Sequence, residues 1–294
     1  MRAVAVYCFL MLFIVLCMPT TATAQVLSQQ DQVIFDDFIA YANKQNLAEL
    51  ASNARIASIA TYFLATPYKG GTLDGCGADK LTVTLASFDC VTFVESVLAL
   101  SLLTEYNAHS KDLFLQKLQQ IRYRDSNIAY CSRLHYSTDW LHEMQNLNIL
   151  TDISQQIGGA PFTKKINFIT ANHTKYPQLV SNQNYTAIMQ KVEAQLNARA
   201  YYYIPKKAVV AVDKQLKSGD IILITTTIKG LDISHMGIAV EQQGKISLIH
   251  ASSDAAKVVL SDSSLFNYLA NNRLQSGIMV GRCKRAHFVS ILLP

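Results

Sequence analysis

The chain has 294 residues, 50% of them apolar and 16% charged, enough for one good core or one core with helical additions. Twelve glycines and six prolines are too few for a fibrous or disordered chain. The formal charge of +5 is spread thinly, with Lys164-Lys165 and Lys206-Lys207 as isolated pairs. No nucleic-acid partner is therefore expected, and a weak attraction for acidic ligands is all the charge supports.

Residues 1–24 read as a secretory signal peptide. Arg2 gives a positive start, residues 4–18 are apolar, Pro19 breaks the run, and Ala22-Thr23-Ala24 offers a small-x-small cleavage site before Gln25. A membrane anchor fits less well, because a bilayer span needs about 20 apolar residues. Leu16 before Cys17 argues against a lipoprotein. The expected product is an exported, periplasmic chain with no membrane attachment after cleavage. Cys8 and Cys17 leave with the signal, so Cys76, Cys90, Cys131 and Cys283 remain. If one is a catalytic thiol, at most one pair forms among the other three, and the sequence leaves that pairing open.

Helical periodicity follows over residues 29–46 and 47–64, giving an N-terminal helical extension at 25–65. Pro67 and Gly70-Gly71 close it in a turn. Another helix is expected from Asp89 through Leu102, with weaker patterns at 111–120, 138–146 and 185–199. From about Lys207 the texture changes to short β runs at 209–212, 221–225, 235–240, 246–250, 258–260 and 278–281, separated by turn signals. Helices first and an antiparallel sheet later predict an α+β fold in one catalytic domain at 66–294, with a long insertion at about 104–206.

The sharpest local feature is Phe88-Asp89-Cys90-Val91-Thr92-Phe93. Asp89 is a good N-cap, which places Cys90 at the first helical position. There the free N–H groups and the helix dipole favour a thiolate, and the Cys90 amide can serve an oxyanion hole. A lone cysteine of this kind is more often a small core residue. A thiol nucleophile also needs a base and a group to orient it. Ser234-His235-Met236-Gly237 and Leu248-Ile249-His250-Ala251 supply both if their strands pair as a hairpin around Gly244.

In combination, Thr66-Pro67-Tyr68-Lys69-Gly70-Gly71, Asp89-Cys90, Gly219-Asp220, His235-Met236-Gly237-Ile238 and Ile249-His250-Ala251 resemble the NlpC-type cell-wall cysteine amidases. The resemblance implies a papain-like core, with Cys90 as nucleophile, His235 as base, His250 as orienting group and Tyr68 shaping the site. The chain departs from the common pattern in about a dozen extra residues before Asp89, in Val91-Thr92 where a Ser-Gly pair is usual, and in the long insertion. These departures are similar to a divergent N-acetylmuramoyl-L-alanine amidase-like branch, first catalogued as a domain of unknown function. That likeness implies cleavage between N-acetylmuramic acid, notably its 1,6-anhydro form, and L-alanine. The alternatives are a γ-D-glutamyl-diaminopimelate endopeptidase, a non-catalytic muropeptide-binding module, or acyl transfer to an amine.

Arg133, His135, Tyr136 and Trp140 are candidate contacts for the muropeptide substrate. Arg133 would fork onto a carboxylate and the two aromatics would stack under a sugar ring. The structural alternative is an Arg–Asp pair in a loop leading into a helix capped by Ser137 or Thr138. A zinc amidase is disfavoured because His142-Glu143 is followed by Asn146 where HExxH needs histidine. No G-x-S-x-G elbow suggests a serine hydrolase. No metal or organic cofactor is expected.

Overall fold

Ser28 starts the first helix, α1 (Gln29–Lys44), by accepting the Asp31 amide on its Oγ at 3.1 Å. Asp31 is itself buried and its other oxygen takes the Leu85 and Ala86 amides at 2.7 and 3.3 Å, which ties the N-terminal extension to the segment before Cys90. After α2 (Ser52–Tyr62) comes α3 (Cys90–Glu105), an apolar helix buried nearly all round. The computed structural model describes residues 27–74, 79–105 and 110–284. The expected signal peptide and Cys76 lie outside them.

The chain continues through α4 (Lys111–Arg122), α5 (Ser137–Asn146), β1 (Leu150–Asp152), β2 (Ala160–Pro161), α6 (Phe168–Ala171), α7 (Pro177–Ser181), α8 (Gln183–Asn197), β3 (Tyr202–Pro205) and α9 (Val209–Val212). The last part is β4 (Ile221–Thr226), β5 (Ile233–Gln242), β6 (Lys245–Ser252), β7 (Lys257–Leu260), α10 (Leu265–Ala270) and β8 (Gln275–Cys283). The sheet runs β2-β3-β8-β4-β5-β6-β7, with β1 also on β8, and every pairing is antiparallel. The fold is therefore mixed helix and antiparallel sheet. No helix among the described residues is long and apolar enough to cross a membrane.

One expected strand is corrected. Residues 209–212 form a helical turn, with Val209 and Val212 buried and Val210 59% exposed. Burial at a spacing of three is a helix's geometry, and β-branched composition alone does not decide it.

The helix α3 lies between α2, α4 and the β5–β6 part of the sheet. An aromatic series leads to its start: Phe38 on Phe63 (6.3 Å), Phe63 on Phe88 (5.2 Å) and Phe88 on Phe93 (5.8 Å). Just before β4, Gly219 has φ +88° and sits so close to α2 that a β-carbon would lie 1.9 Å from Asn53 O. Asp220 beside it receives Asn53 Nδ2 at 2.9 Å and Arg282 through Nε and Nη2 at 2.8 and 2.7 Å. Gly219-Asp220 is thus a clamp joining α2, β4 and β8.

Inside α3, Glu95 meets Arg122 at 2.7 Å, both side chains 2% exposed. Burial pushes the Glu95 carboxyl up, and the guanidinium opposes it. Removing one member strands a buried charge, so Arg122→Met should lower the unfolding free energy by about 3–5 kcal/mol. The double variant Glu95→Leu/Arg122→Met should recover most of that in denaturant titrations. A loss below about 1 kcal/mol in the single variant would contradict the pairing.

Candidate active site

The turn before α3 is fixed by a reciprocal cap. Thr92 N–H donates to Asp89 Oδ1 at 2.8 Å, and Asp89 N–H donates to Thr92 Oγ1 at 2.9 Å. The Phe93 amide makes the first helical bond, to Asp89 O at 3.0 Å, so Cys90 opens the helix. Its sulfur is free of any disulfide and accepts from the backbone N–H groups of Met236, Cys90 and Val91.

The Met236 donor exists because of how β5 ends. The β5–β6 ladder runs from Gln242↔Lys245 only as far as Ile238↔Ile249, so the Met236 amide is left to the sulfur. On the other side, β4 pairs Ile224 with His235 and Thr225 with Ile233, a bulge that absorbs Ser234 and re-aims the strand start. Continuing the β5–β6 register puts His250 opposite Gly237, hence diagonal to His235 on the same face. The rings meet, with His235 Nε2 2.8 Å from His250 Nδ1. A β-carbon at Gly237 would fall 2.8 Å from both Ile249 O and Leu248 Cδ1, so this approach of the strands needs glycine there.

Electrostatics decide the resting state. Burial, then Asp89, pushes the Cys90 thiol up to about 11, against the lowering effect of its three amide donors. Burial, then His250, pushes His235 down to about 3. Burial pushes His250 down to about 4, opposed by Asp254. The expected thiolate is therefore corrected to a neutral thiol beside neutral imidazoles. Desolvation outweighs the helix terminus here, and the capping carboxylate works against it too.

Tyr68 is held beside this cluster by its backbone: Phe88 N donates to Pro67 O at 3.0 Å and Lys69 N to Phe88 O at 2.9 Å. Burial raises its phenol, followed by Cys90 and Asp89, the two residues it faces. The other expected substrate contacts are placed differently. Arg133, 5% exposed, donates to Leu73 O and lies 3.7 Å from Asp79 and 3.9 Å from Asp74, over the Tyr130 ring. His135 Nε2 donates to Tyr130 O at 2.7 Å, and burial followed by Arg133 lowers its pKa to about 3. Tyr136 and Trp140 are 1% and 2% exposed, so the expected stacking under a sugar has no open face. The Tyr136 hydroxyl is used internally, donating to Glu193 at 2.7 Å and accepting from Ile169 N at 2.8 Å. The α5 start is not self-capped as expected. Asp232 receives both the Thr138 amide (2.8 Å) and hydroxyl (2.9 Å).

A cavity of about 230 Å³ opens beside the histidines, lined by Ser234, Asp254, Tyr268 and Gln275 among others. Tyr268 escaped the sequence reading, although Ser264 as cap and Leu265 and Leu269 four apart mark a short helix. Among the described residues no group of three or more His, Cys, Asp or Glu side chains is gathered to hold a metal ion.

Residues 58–290 match the model of the AmiA-like family, described as N-acetylmuramoyl-L-alanine amidase-like. The chain belongs to this amidase-like family. It is 35% identical to an N-acetylmuramoyl-L-alanine amidase of Bacteroides uniformis, over 80% of this chain and 99% of that one, with TM-score 0.76. A Bacteroides fragilis protein provisionally named a xylanase is also 35% identical, covering 76% and 99% of the two chains, with TM-score 0.73. A Legionella pneumophila protein at 24% identity, covering 86% and 94%, shares the fold with TM-score 0.63. No curated protein matches the sequence.

The three depressed histidines make stability depend on acid. Below pH about 6.5 the unfolded chain takes up protons that folded His135, His235 and His250 refuse, so folding loses free energy as pH falls. The loss should reach up to about 1.4 kcal/mol per pH unit for each histidine between pH about 6 and about 4. Denaturant midpoints at pH 7, 5.5 and 4.5 check this, and equal midpoints at all three would contradict the neutral assignment.

Proposed function

We propose that the chain is a cysteine amidase that hydrolyses the amide between N-acetylmuramic acid, in its 1,6-anhydro form, and the L-alanine of the stem peptide. The observation that carries the mechanism is the Cys90 sulfur lying against the start of the strand that carries His235, together with the contact between the two histidines. The sulfur lies on the Met236 amide, one residue from His235, whose Nε2 is 2.8 Å from His250. Membership of an amidase-like family and the 35% identical Bacteroides uniformis amidase support the substrate class. The divergent branch that the sequence resembles supports the choice of bond and the anhydro sugar.

The hydrogen bond to His250 occupies His235 Nε2, which leaves Nδ1 to exchange a proton with the thiol. For that exchange Nε2 carries hydrogen and donates to His250 Nδ1. The neutral thiol gives its proton to His235 as sulfur attacks the lactyl carbonyl, and the Cys90 amide helps hold the oxyanion. The imidazolium returns that proton to the L-alanine nitrogen as the C–N bond breaks. Water then attacks the thioester, giving a proton to His235, and the thiol is restored when the acyl C–S bond breaks. Positive charge on the histidine pair is steadied by Asp254, which favours protonated His250.

The structure provisionally named a xylanase raises a glycosidase reading. That chemistry uses two carboxyl groups about 5–9.5 Å apart across the bond. Here the cavity beside the histidines has one carboxylate, Asp254, along with a histidine pair that a glycosidase does not need. Amide hydrolysis fits the side chains better. We further propose that the enzyme is exported and works on soluble muropeptides in the periplasm, on the strength of residues 1–24.

Products from a defined anhydro-muropeptide, read by mass, locate the cut. The expected pair is the free sugar acid and a stem peptide beginning with L-alanine. A cut between D-glutamate and diaminopimelate would replace this reading with the endopeptidase one. Cys90→Ala should lower turnover by about a thousandfold or more, and His250→Ala by about tenfold to a hundredfold. Since His235 is neutral far below its ordinary range, the acid limb of kcat/KM should lie well under pH 6.5. Unchanged turnover in Cys90→Ala would end the mechanism.

A further inference from the structure

The histidine pair has a third aromatic neighbour that no motif marks. Tyr268, on the short helix α10, packs edge-on against the His250 ring at 5.1 Å and lies nearly parallel to His235 at 6.3 Å. Its hydroxyl is bonded to Gln275, which is 6% exposed at the start of β8.

We propose that Tyr268 is a positioning residue for the catalytic base: its ring walls the outer side of the His235–His250 pair, fixes both imidazole rotamers and keeps water off them. This rests on the reading of His235 as base. His235 and His250 hold one another through one hydrogen bond and His250 is also bonded to the Ala251 backbone, so a ring packed against the pair adds a restraint that His235 otherwise lacks. Both histidines border the 230 Å³ cavity, where Tyr268 is the aromatic among the lining residues. The charged and titratable groups around the pair and its aromatic neighbour are Asp254 from the turn after β6, which acts on His250 and Tyr268, and Cys90 from α3, which acts on Tyr268. Asp254 is exposed, so removing the ring would admit solvent without removing a charge. Hydration relieves the burial that holds both imidazoles neutral, and their titration moves up toward 6.5.

Tyr268→Leu removes the ring, Tyr268→Met does so while filling more of the space, and Tyr268→Phe keeps the ring and loses only the hydroxyl. Imidazole signals of His235 and His250, followed by NMR against pH in the whole enzyme, read the titration without turnover. Kinetics on the anhydro-muropeptide read kcat and KM. In Leu and Met variants both histidines should titrate at least about one pH unit higher. Their kcat should fall about tenfold or more, with KM changed less than about threefold. The Phe variant should keep at least about a third of wild-type kcat and the wild-type titration. Unmoved histidine titration in whichever ringless variant folds, or a Phe variant as impaired as Leu, overturns the proposal. Failure of wild type to turn over the muropeptide while the titration still shifts would instead overturn the functional reading and leave the placement of Tyr268 standing.

Discussion

One hydrogen bond joins the two halves of the site, from the Met236 amide to the Cys90 sulfur. It spans a helix start and a strand start separated by about half the chain, and it exists because each element stops where it does. The helix α3 cannot begin earlier, since Asp89 is locked into its cap with Thr92. The β5–β6 ladder ends at Ile238↔Ile249, which releases the amide. Shift either boundary by one residue and the donor faces a strand again, or the sulfur turns away along the helix. Much of the apparatus around it, including the aromatic series from Phe38 to Phe93 and the Asp220 clamp, serves to hold α3 against the sheet at this one depth.

That depth has an electrostatic consequence. Three N–H groups aimed at a sulfur, at the positive end of a helix, are the usual means of making a thiolate. In this site they are outweighed, because partial burial of the sulfur disfavours the charge and the capping carboxylate of Asp89 is its neighbour in sequence. The same cap that places Cys90 also discourages its ionisation. A protonated thiol reacts slowly with oxidants and disulfides, whereas a standing thiolate would be exposed to both. For an enzyme proposed to work outside the cytoplasm, a nucleophile formed only when a carbonyl is in place has an evident advantage. The neutral histidines are the complement of that arrangement, since a base can accept the proton only if it does not already carry one.

The sequence was most legible where chemistry is local. Asp89 as cap and the helix from Cys90 follow from residues within a few positions of one another, and the hairpin around Gly244 with its side-by-side histidines from residues 15 positions apart. What it hid depends on contacts across the chain. Ser137 and Thr138 look like caps for α5, yet the cap oxygen comes from Asp232, 94 positions away from Thr138. Tyr136 and Trp140 have the right character for a sugar platform, and character does not tell which way a ring faces; a hydroxyl satisfied by Glu193 and Ile169 turns one of them inward. Tyr268 sits in a helix too short to announce itself by periodicity, and its importance comes entirely from what lies beneath it.

The two departures from the common family pattern, extra residues before Asp89 and a long insertion after α3, explain one another. A stretch without helix or strand has backbone carbonyls that nothing in the stretch can satisfy, and a buried carbonyl without a donor is costly. Here the donors come from the insertion. Arg133 reaches Leu73 O, Arg122 reaches Thr82 O, and the Tyr123 hydroxyl donates to Lys80 O at 3.0 Å. All three donors flank the turn between α4 and α5, and α5 in turn rests on Asp232 and, through Ser137, on Met236. The insertion therefore braces the loop before Cys90 with one end and the start of β5 with the other. Arg133, which looked like a hand held out to substrate, belongs to that brace: its guanidinium is held by Leu73 and by Asp79 and Asp74. Its influence on which muropeptide fits would pass through the loop it supports, since the loop begins at Tyr68 and ends at Cys90.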